Sequence, residues 1–457
     1  MTEPFTVLIM AAGQGTRMRS RTPKVLHRIC GKPMIDWVVE SAWAAGAGRV
    51  VCVVRPEEGV AEGLPDGVEI AEQRDGEGTG SAVLAARDAV PAGEIVVLSG
   101  DQPLVTAEQI ERLVREHRAG GVGATILTTE QLDPAGYGRI VRNGSGDVER
   151  IVETKYVEGV PPEELAIREI NLGTYVFEAP ELFSLLDQVG LDGGERFLTG
   201  VFPLLKQDGE RIGTYVTDDG AAAIGVNDRV GLMQAEQVVQ LRILEHHARA
   251  GVTFLHPGST RVEAGVRLGA DTTIGPGVSL LGDTIVGADC EIGPHSTLID
   301  ARVGDRALVV HSQVVEAEIC DDATIGPFSY LRPGTVVGES AKVGAFVEVK
   351  NSQIGAGAKV PHLSYIGDAE VGEASNLGAS TITANYDGRH KHRTKLGKSV
   401  KTGVHTSLVA PVDVGDRAYT GAGSVITEDV PDGALGIGRS KQRNVEGYAD
   451  RVQEDSE

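Results

Sequence analysis

The stretch Ala11-Ala12-Gly13-Gln14-Gly15-Thr16-Arg17-Met18, followed by Thr22-Pro23-Lys24-Val25-Leu26, is the first part of the chain able to do chemistry. Glycines placed directly after an apolar run let backbone N–H groups approach phosphate oxygens closely. Arg17 and Lys24 add two cations a short distance further on. A tight turn with two cations suits a triphosphate whose negative charge grows in the transition state. The loop is not a dinucleotide fingerprint, because no third glycine arrives and Arg17 takes that region. Nor is it a Walker loop, because no Gly-Lys-Ser/Thr follows.

Such a loop needs a strand behind it. Val7–Met10 is a short apolar run of that kind, and Val50–Val54, Ile95–Leu98 and Ala124–Thr129 read the same way. Between them, Ile35–Ala45 and Ala82–Ala89 have helical spacing. Thr106 with Gln109 forms a capping-box pattern that opens a helix running to about Arg118. This alternation predicts a Rossmann-like α/β domain, a mostly parallel sheet covered by helices on both faces. Ligands in such folds bind beyond the carboxyl ends of the strands. Two loops stand at such ends, 11–17 and 99–102, and the second holds Asp101. Residues 1–227 are expected to form this domain. A helix over 228–251, closed by Gly251, is expected to link it to the remainder, 252–457.

Beyond residue 252 the pattern changes. Aliphatic residues recur every six positions, often with Gly next: Ile325-Gly326, Leu331, Val337-Gly338, Val343-Gly344, Val349. Val286-Gly287, Ile292-Gly293, Leu298 and Leu408, Val414-Gly415, Thr420-Gly421, Ile426 keep the same register. This period fits hexapeptide repeats, each one flat side of a left-handed parallel β-helix, with roughly ten turns over residues 252–437. The aliphatic residue points inward and the small neighbour lets the chain turn. The register breaks at Ser352-Gln353, over Ile366–Val371 and over Thr383–Lys395, which read as insertions or loops, places where function often sits.

Composition agrees. The chain has 457 residues, 41% hydrophobic and 24% charged, enough for two or three domains and too apolar for a disordered chain. Gly is unusually common at 60 residues and aromatics unusually scarce at 4%, as a solenoid of tight corners requires. A net charge of −22 argues against nucleic acid or an anionic membrane as partner. No apolar run is long enough to span a bilayer. The four cysteines, Cys30, Cys52, Cys290 and Cys320, form no CxxC pair, so structural thiols in a reducing cytoplasm are expected.

The opening motif resembles the sugar-1-phosphate nucleotidylyltransferase signature. With the hexapeptide half attached, the chain from about Thr6 to Tyr448 is similar to the bifunctional N-acetylglucosamine-1-phosphate uridylyltransferase/glucosamine-1-phosphate N-acetyltransferase family. The resemblance implies that Ala11, Ala12, Gly13 and Gly15 wrap the nucleotide and that Gln73, Gly78 and Thr79 grip uracil. It puts Mg²⁺ on Asp101 and Asn227, and the N-acetylated sugar on Gly138, Glu153 and Asn171. No general base is needed, because a sugar phosphate is already ionised. It attacks the α-phosphorus of UTP while Arg17, Lys24 and the metal supply position and charge. Several neighbours depart from the family's usual residues: Gly76, Glu77, Ser81, Ser99, Leu172 and Gly200. They leave the identity of base and sugar open.

For the second half, the resemblance implies that Arg332 and Lys350 bind a sugar phosphate and that Tyr365 and Asn376 contact sugar and phosphate. His362 would take the proton from the attacking amine, a task suited to a side chain titrating near neutrality. Ser380, Asn385, Tyr386, Ala422 and Arg439 match acetyl-CoA contacts. The His390-Lys391-His392-Arg393 run reads as a solvated loop near anionic ligands rather than a metal site. The family implies a homotrimer, with small-molecule substrates (UTP, amino-sugar 1-phosphate, acetyl-CoA) and the two activities in series. The alternatives are a divergent paralogue active mainly as an amino-sugar-phosphate acyltransferase or with a different nucleotide or sugar, and a nucleotidylyltransferase whose solenoid is purely structural.

Overall fold

The structure is a computed structural model describing residues 4–131, 133–134, 136–152 and 160–454. It divides into two compact units, Met1–Leu241 and Arg242–Glu457. The division falls inside the helix Arg229–Arg249, which spans nearly the whole segment expected as a linker.

The first unit is built on a nine-stranded sheet. Its strands are β1 (Thr6–Met10), β2 (Arg49–Val54), β3 (Glu69–Glu72), β4 (Glu94–Ser99), β5 (Ala124–Thr129), β6 (Arg139–Arg142), β7 (Val148–Val152), β8 (Ile170–Glu178) and β9 (Ile212–Val216). The main path runs β9-β5-β8-β4-β1-β2-β3. Strands β4, β1, β2 and β3 pair in parallel, as do β9 and β5, while β8 lies antiparallel between β4 and β5. Side chains alternate across each strand. Val7 and Ile9 join one core with the helices α1 (Met34–Ala44) and α3 (Ala107–Gly120). Leu8 faces the opposite way, onto α2 (Thr79–Ala85), α4 (Ala179–Gln188) and α5 (Val201–Gln207). Both halves of the capping box form: Gln109 N donates to Thr106 Oγ1 and Thr106 N to Gln109 Oε1. Helix α2 starts and ends earlier than expected, because Gly78, at φ 93°, and Thr79 turn the chain into it.

The second unit is a left-handed parallel β-helix with three long parallel sheets, of seven, ten and nine strands. The six-residue aliphatics are its core: Ile325, Leu331, Val337, Val343 and Val349 are fully buried. Glycine is required here for a reason beyond turning. At Gly287, Gly304, Gly397 and Gly415 the dihedrals are ordinary, yet a Cβ would collide with the carboxylate of Asp305, Asp321, Asp416 and Asp432 from the next coil. Those carboxylates accept backbone N–H groups of the coil below, as Asp305 does from Ala288 at 2.8 Å.

Two of the three register breaks are not insertions. Val349 to Ile354 and Ile366 to Val371 are corners shortened by one residue, with Asn351 and Asp368 in the left-handed region at φ 45° and 50°. Asn and Asp tolerate that conformation better than other side chains with a Cβ. Only Thr383–Lys395 is an insertion. It stretches one turn so that Ala369 pairs with Thr394, and it carries a small loop closed by a Tyr386–Lys391 bridge.

In α3, His117 is buried with Nδ1 2.9 Å from Thr125 Oγ1, and burial lowers its pKa from 6.5 to about 4. Its neutral form is therefore favoured on folding. The stability it contributes is complete above pH 6.5 and is lost as pH falls toward 4. That loss amounts to about 3 kcal/mol at most. Thermal melts between pH 7 and 4 should show a steeper decline for the native protein than for His117→Gln.

Candidate active sites

The first cleft sits at the carboxyl ends of β1, β2 and β4, as a parallel sheet requires. It is lined by Ala11, Ala12, Gly13, Lys24, Arg55, Gln73, Gly78, Thr79, Ser99 and Asp101, among others. Gly15 has φ 58°, and a Cβ there would lie 2.7 Å from Lys24 Cβ, so the glycine both makes the turn and admits the lysine. Lys24 Nζ lies 2.5 Å from Asp101 Oδ2 and donates to Asn227 Oδ1 at 3.4 Å. Arg17 reaches the same Asn227 oxygen at 2.9 Å. Two cations and two oxygen donors thus converge, although Asn227 is over a hundred residues from the others. Val226 N donates to the carbonyl of Asp101 at 2.8 Å, tying that distant segment down.

Of the residues expected to seat the base, Gln73 is buried and its Nε2 donates to the Gly76 carbonyl at 2.9 Å. Thr79 Oγ1 accepts from Leu198 N at 2.9 Å. Of the residues expected to seat the sugar, Asn171 N donates to the Gly138 carbonyl, so these two candidates are adjacent. The Asn171 amide donates to Tyr175 Oη at 2.8 Å. A bulge in β8 between Asn171 and Tyr175 aims this segment away from the regular ladder. Glu153 lies outside the described residues.

In the β-helix, Arg332 forms an ion pair with Glu348 at 2.8 Å, and Lys350 lies against Lys391. That contact pushes the Lys391 ammonium below its usual range. Lys350 pairs with Gly367 on the next coil, where a Cβ would lie 2.5 Å from Tyr365 Oη and 2.8 Å from Asn385 Nδ2. Arg332, Lys350, Tyr365 and Asn385 are therefore neighbours on one face. His362 ends the strand Lys359–His362, with an exposed ring and a carbonyl that accepts from Ser380 N at 3.3 Å. Among the described residues no side-chain hydrogen bond links His362 to that cluster. Asn376 bridges Lys359 and Lys401 in the ladder. Ala422 and Arg439 lie further along, where Gly423 stands beside the Arg439 side chain. Tyr386 is exposed on the inserted loop, and His392 Nε2 pairs with Asp387 at 2.8 Å.

Residues 7–199 match the MobA-like NTP transferase domain, and residues 265–300 and 316–351 match the bacterial transferase hexapeptide (six repeats). A bifunctional protein GlmU from Mycolicibacterium vanbaalenii is 46% identical over 97% of this chain and 92% of its own length. The bifunctional protein GlmU of Micrococcus luteus is 45% identical over 97% and 93%, and that of a Geobacillus species 45% over 97% of both. The chain belongs to the GlmU family.

Within that family frame the unusual cleft residues come in matched pairs. Glu77 forms an ion pair with Arg55 at 2.8 Å. Gly76, at φ 78°, leaves room for Ser81, whose hydroxyl donates to the Glu77 carbonyl. Ser99 donates to Asp101 Oδ1 at 2.6 Å. Val189 fills the space that a side chain on Gly200 would take. The Leu172 carbonyl accepts from Gln102 Nε2 at 2.5 Å. Each of these positions is packed or hydrogen-bonded in the structure.

Sequence reasoning passed over Arg55, which lines the cleft and donates to the Ala12 carbonyl at 3.1 Å. The signal was available, since Arg55 directly follows β2 as Ala11 follows β1. At Gly78 a Cβ would press into the Arg196 backbone, on a φ of 93°. Gly78→Ala should shift that segment and cost uridylyl transfer at least tenfold, with acetyl transfer unchanged, in separate assays of pyrophosphate and thiol release.

Proposed function

We propose that the chain makes UDP-N-acetylglucosamine in two steps at two separate sites. It transfers acetyl from acetyl-CoA to glucosamine 1-phosphate, and then uridylyl from UTP to N-acetylglucosamine 1-phosphate, releasing pyrophosphate for cell-wall synthesis. The observation that carries this reading is the pairing of two built polar clusters, around Lys24–Asp101 and around Lys350–Asn385, on a chain that matches bifunctional relatives along 97% of its length. A purely structural solenoid would need no such second cluster. The reading assigns uridylyl transfer to residues 1–227 and acetyl transfer to 252–457, with 228–251 between them.

For uridylyl transfer, the sugar phosphate attacks the α-phosphorus in line and pyrophosphate departs. The glycine loop, Arg17 and Lys24 hold the phosphates and supply charge where it grows. Gln73, Gly78 and Thr79 seat the base, and Gly138, Glu153 and Asn171 the sugar. GlmU relatives and this domain type are consistent with a metal-dependent enzyme. The Asp101 carboxylate and the Asn227 carbonyl are hard oxygen donors already gathered around one cation, Lys24 Nζ, and this set fits Mg²⁺ completed by nucleotide phosphates. Bound there, the ion would neutralise phosphate charge.

For acetyl transfer, Arg332, Lys350, Tyr365 and Asn376 hold the amino-sugar phosphate. His362 removes the amine proton as the nitrogen attacks the thioester carbonyl and the thiol leaves. Asn385 orients the reacting groups, and Ser380, Tyr386, Ala422 and Arg439 hold acetyl-CoA.

Hexapeptide repeats point to an oligomer, and our reading is a homotrimer. One corner of the β-helix carries a column of stacked rings, His295, His311, Phe328 and Phe346, continued by Leu363 beside His362. Phe328, Phe346 and Leu363 are more than half exposed, a column of apolar side chains suited to a second copy. We assign the enzyme to the cytoplasm, in keeping with its four free cysteines. Among the described residues no helix is long and apolar enough to cross a membrane.

Asp101→Asn should lower pyrophosphate release about a hundredfold or more and spare thiol release, and His362→Ala should do the reverse. Loss of both activities in either variant, with the fold intact by circular dichroism, would overturn the two-site reading. Phe346→Asp should convert a trimer to monomers in sedimentation; an unchanged mass would remove that corner from the interface.

A further inference from the structure

Asp368 stands next to Gly367, in the shortened corner below the inserted loop. It is 6% exposed and has φ 50°. Its Oδ1 accepts from Asn351 Nδ2 at 2.5 Å, and its Oδ2 accepts from Asn385 Nδ2. Burial raises its pKa, but the two amide hydrogen bonds and the nearby Lys350 and Lys391 ammonium groups outweigh that and keep it below the ordinary carboxylate range. The carboxylate is thus a buried charge that serves two partners.

We propose that Asp368 is the positioning residue of the acetyl-transfer site, acting through Asn385. The inference rests on the assignment of that site to the Asn385 cluster. An asparagine amide can present either its oxygen or its nitrogen to a ligand. A carboxylate accepts only, so it holds the Asn385 side chain by Nδ2 and leaves Oδ1 available as an acceptor. The attacking group in acetyl transfer is an amine, which offers N–H. The orientation that Asp368 imposes is the one an amine nucleophile needs, and the flipped amide would turn an N–H toward it instead.

The placement explains the corner. The loop that carries Asn385 and Tyr386 is closed on itself by the His392 N to Asn385 carbonyl bond and the Tyr386–Lys391 bridge. Its root meets the regular coil where Thr394 N donates to the Asp368 carbonyl, and Asn385 meets the Asp368 carboxylate. A six-residue corner would displace the aspartate by one position. The contraction sets the carboxylate one coil below Asn385, with Gly367 leaving room for both Tyr365 and Asn385.

Asp368 also carries the negative charge between two cations. Lys350 and Lys391 press together, and each is an electrostatic partner of Asp368. Removing that charge leaves a more positive pocket. Binding of a sugar phosphate should then tighten or hold, even as the acceptor geometry is lost. A substitution that merely loosened the fold would weaken binding as well.

The test is Asp368→Asn, alone and combined with Asn385→Ala, in the full-length enzyme. Asp368→Asn should lower kcat for acetyl transfer ten- to a hundredfold, roughly the cost of a misplaced reacting group. KM for glucosamine 1-phosphate should be unchanged or lower, and pyrophosphate release from UTP should be unaffected. In the Asn385→Ala background, Asp368→Asn should cost less than twofold, because its partner is gone. A raised KM with kcat preserved, or a full additive loss in the double variant, overturns the proposal while the site assignment stands. If Asn385→Ala leaves acetyl transfer at the native rate, the site assignment itself fails, and the proposal with it.

Discussion

The second unit depends on how closely one coil can lie on the next. Its parallel strands must hydrogen-bond from coil to coil, so residues after the inward aliphatics meet the next coil's backbone and corner carboxylates. That leaves no space for a Cβ at Gly287, Gly304, Gly397 or Gly415. Once the coils are stacked so tightly, residues far apart in the chain become lateral neighbours. Tyr330, Glu348 and Tyr365 fall in one ladder, and Lys350 and Gly367 stand side by side. The polar cluster is a by-product of that register, and a one-residue change at a corner moves every later member of it.

The first unit gathers its site at strand ends rather than across a ladder. Strands β1, β2, β3 and β4 point the same way, so their carboxyl ends and following loops gather at one edge. Lys24, Asp101, Arg17 and Asn227 meet there, two cations against one carboxylate, and the partly buried Lys24–Asp101 pair is matched and hydrogen-bonded rather than left alone. On the proposed reading, a triphosphate and a metal ion enter a site whose donors and acceptors already face one another.

The altered cleft residues show why single positions mislead. Taken alone, Glu77, Gly76, Ser81 and Gly200 look like losses. In three dimensions Glu77 answers Arg55, Gly76 makes room for Ser81, and Val189 fills the space beside Gly200. Contacts of this kind are a property of pairs and are invisible to a residue-by-residue reading; the chain's full-length likeness is to bifunctional GlmU proteins.

Local chemistry was legible in the chain alone. The capping box at Thr106 and Gln109, the alternation across β1, and the six-residue aliphatic period all depend on neighbours within a few positions, where sequence and conformation are tightly coupled. The glycine loop with Arg17 and Lys24 was legible for the same reason. Arg55 was not noticed, because its role comes from the strand next to β1 rather than from a motif. Two register breaks were misread as insertions, because a missing residue and an added one disturb a period alike, and only the coil above and below tells them apart. Asn227 came into the first site through the family resemblance, but its contact with Arg17 came only through tertiary structure, as did the place of Asp368 between Asn351 and Asn385. Those contacts join segments whose separation along the chain carries no signal of their distance in space.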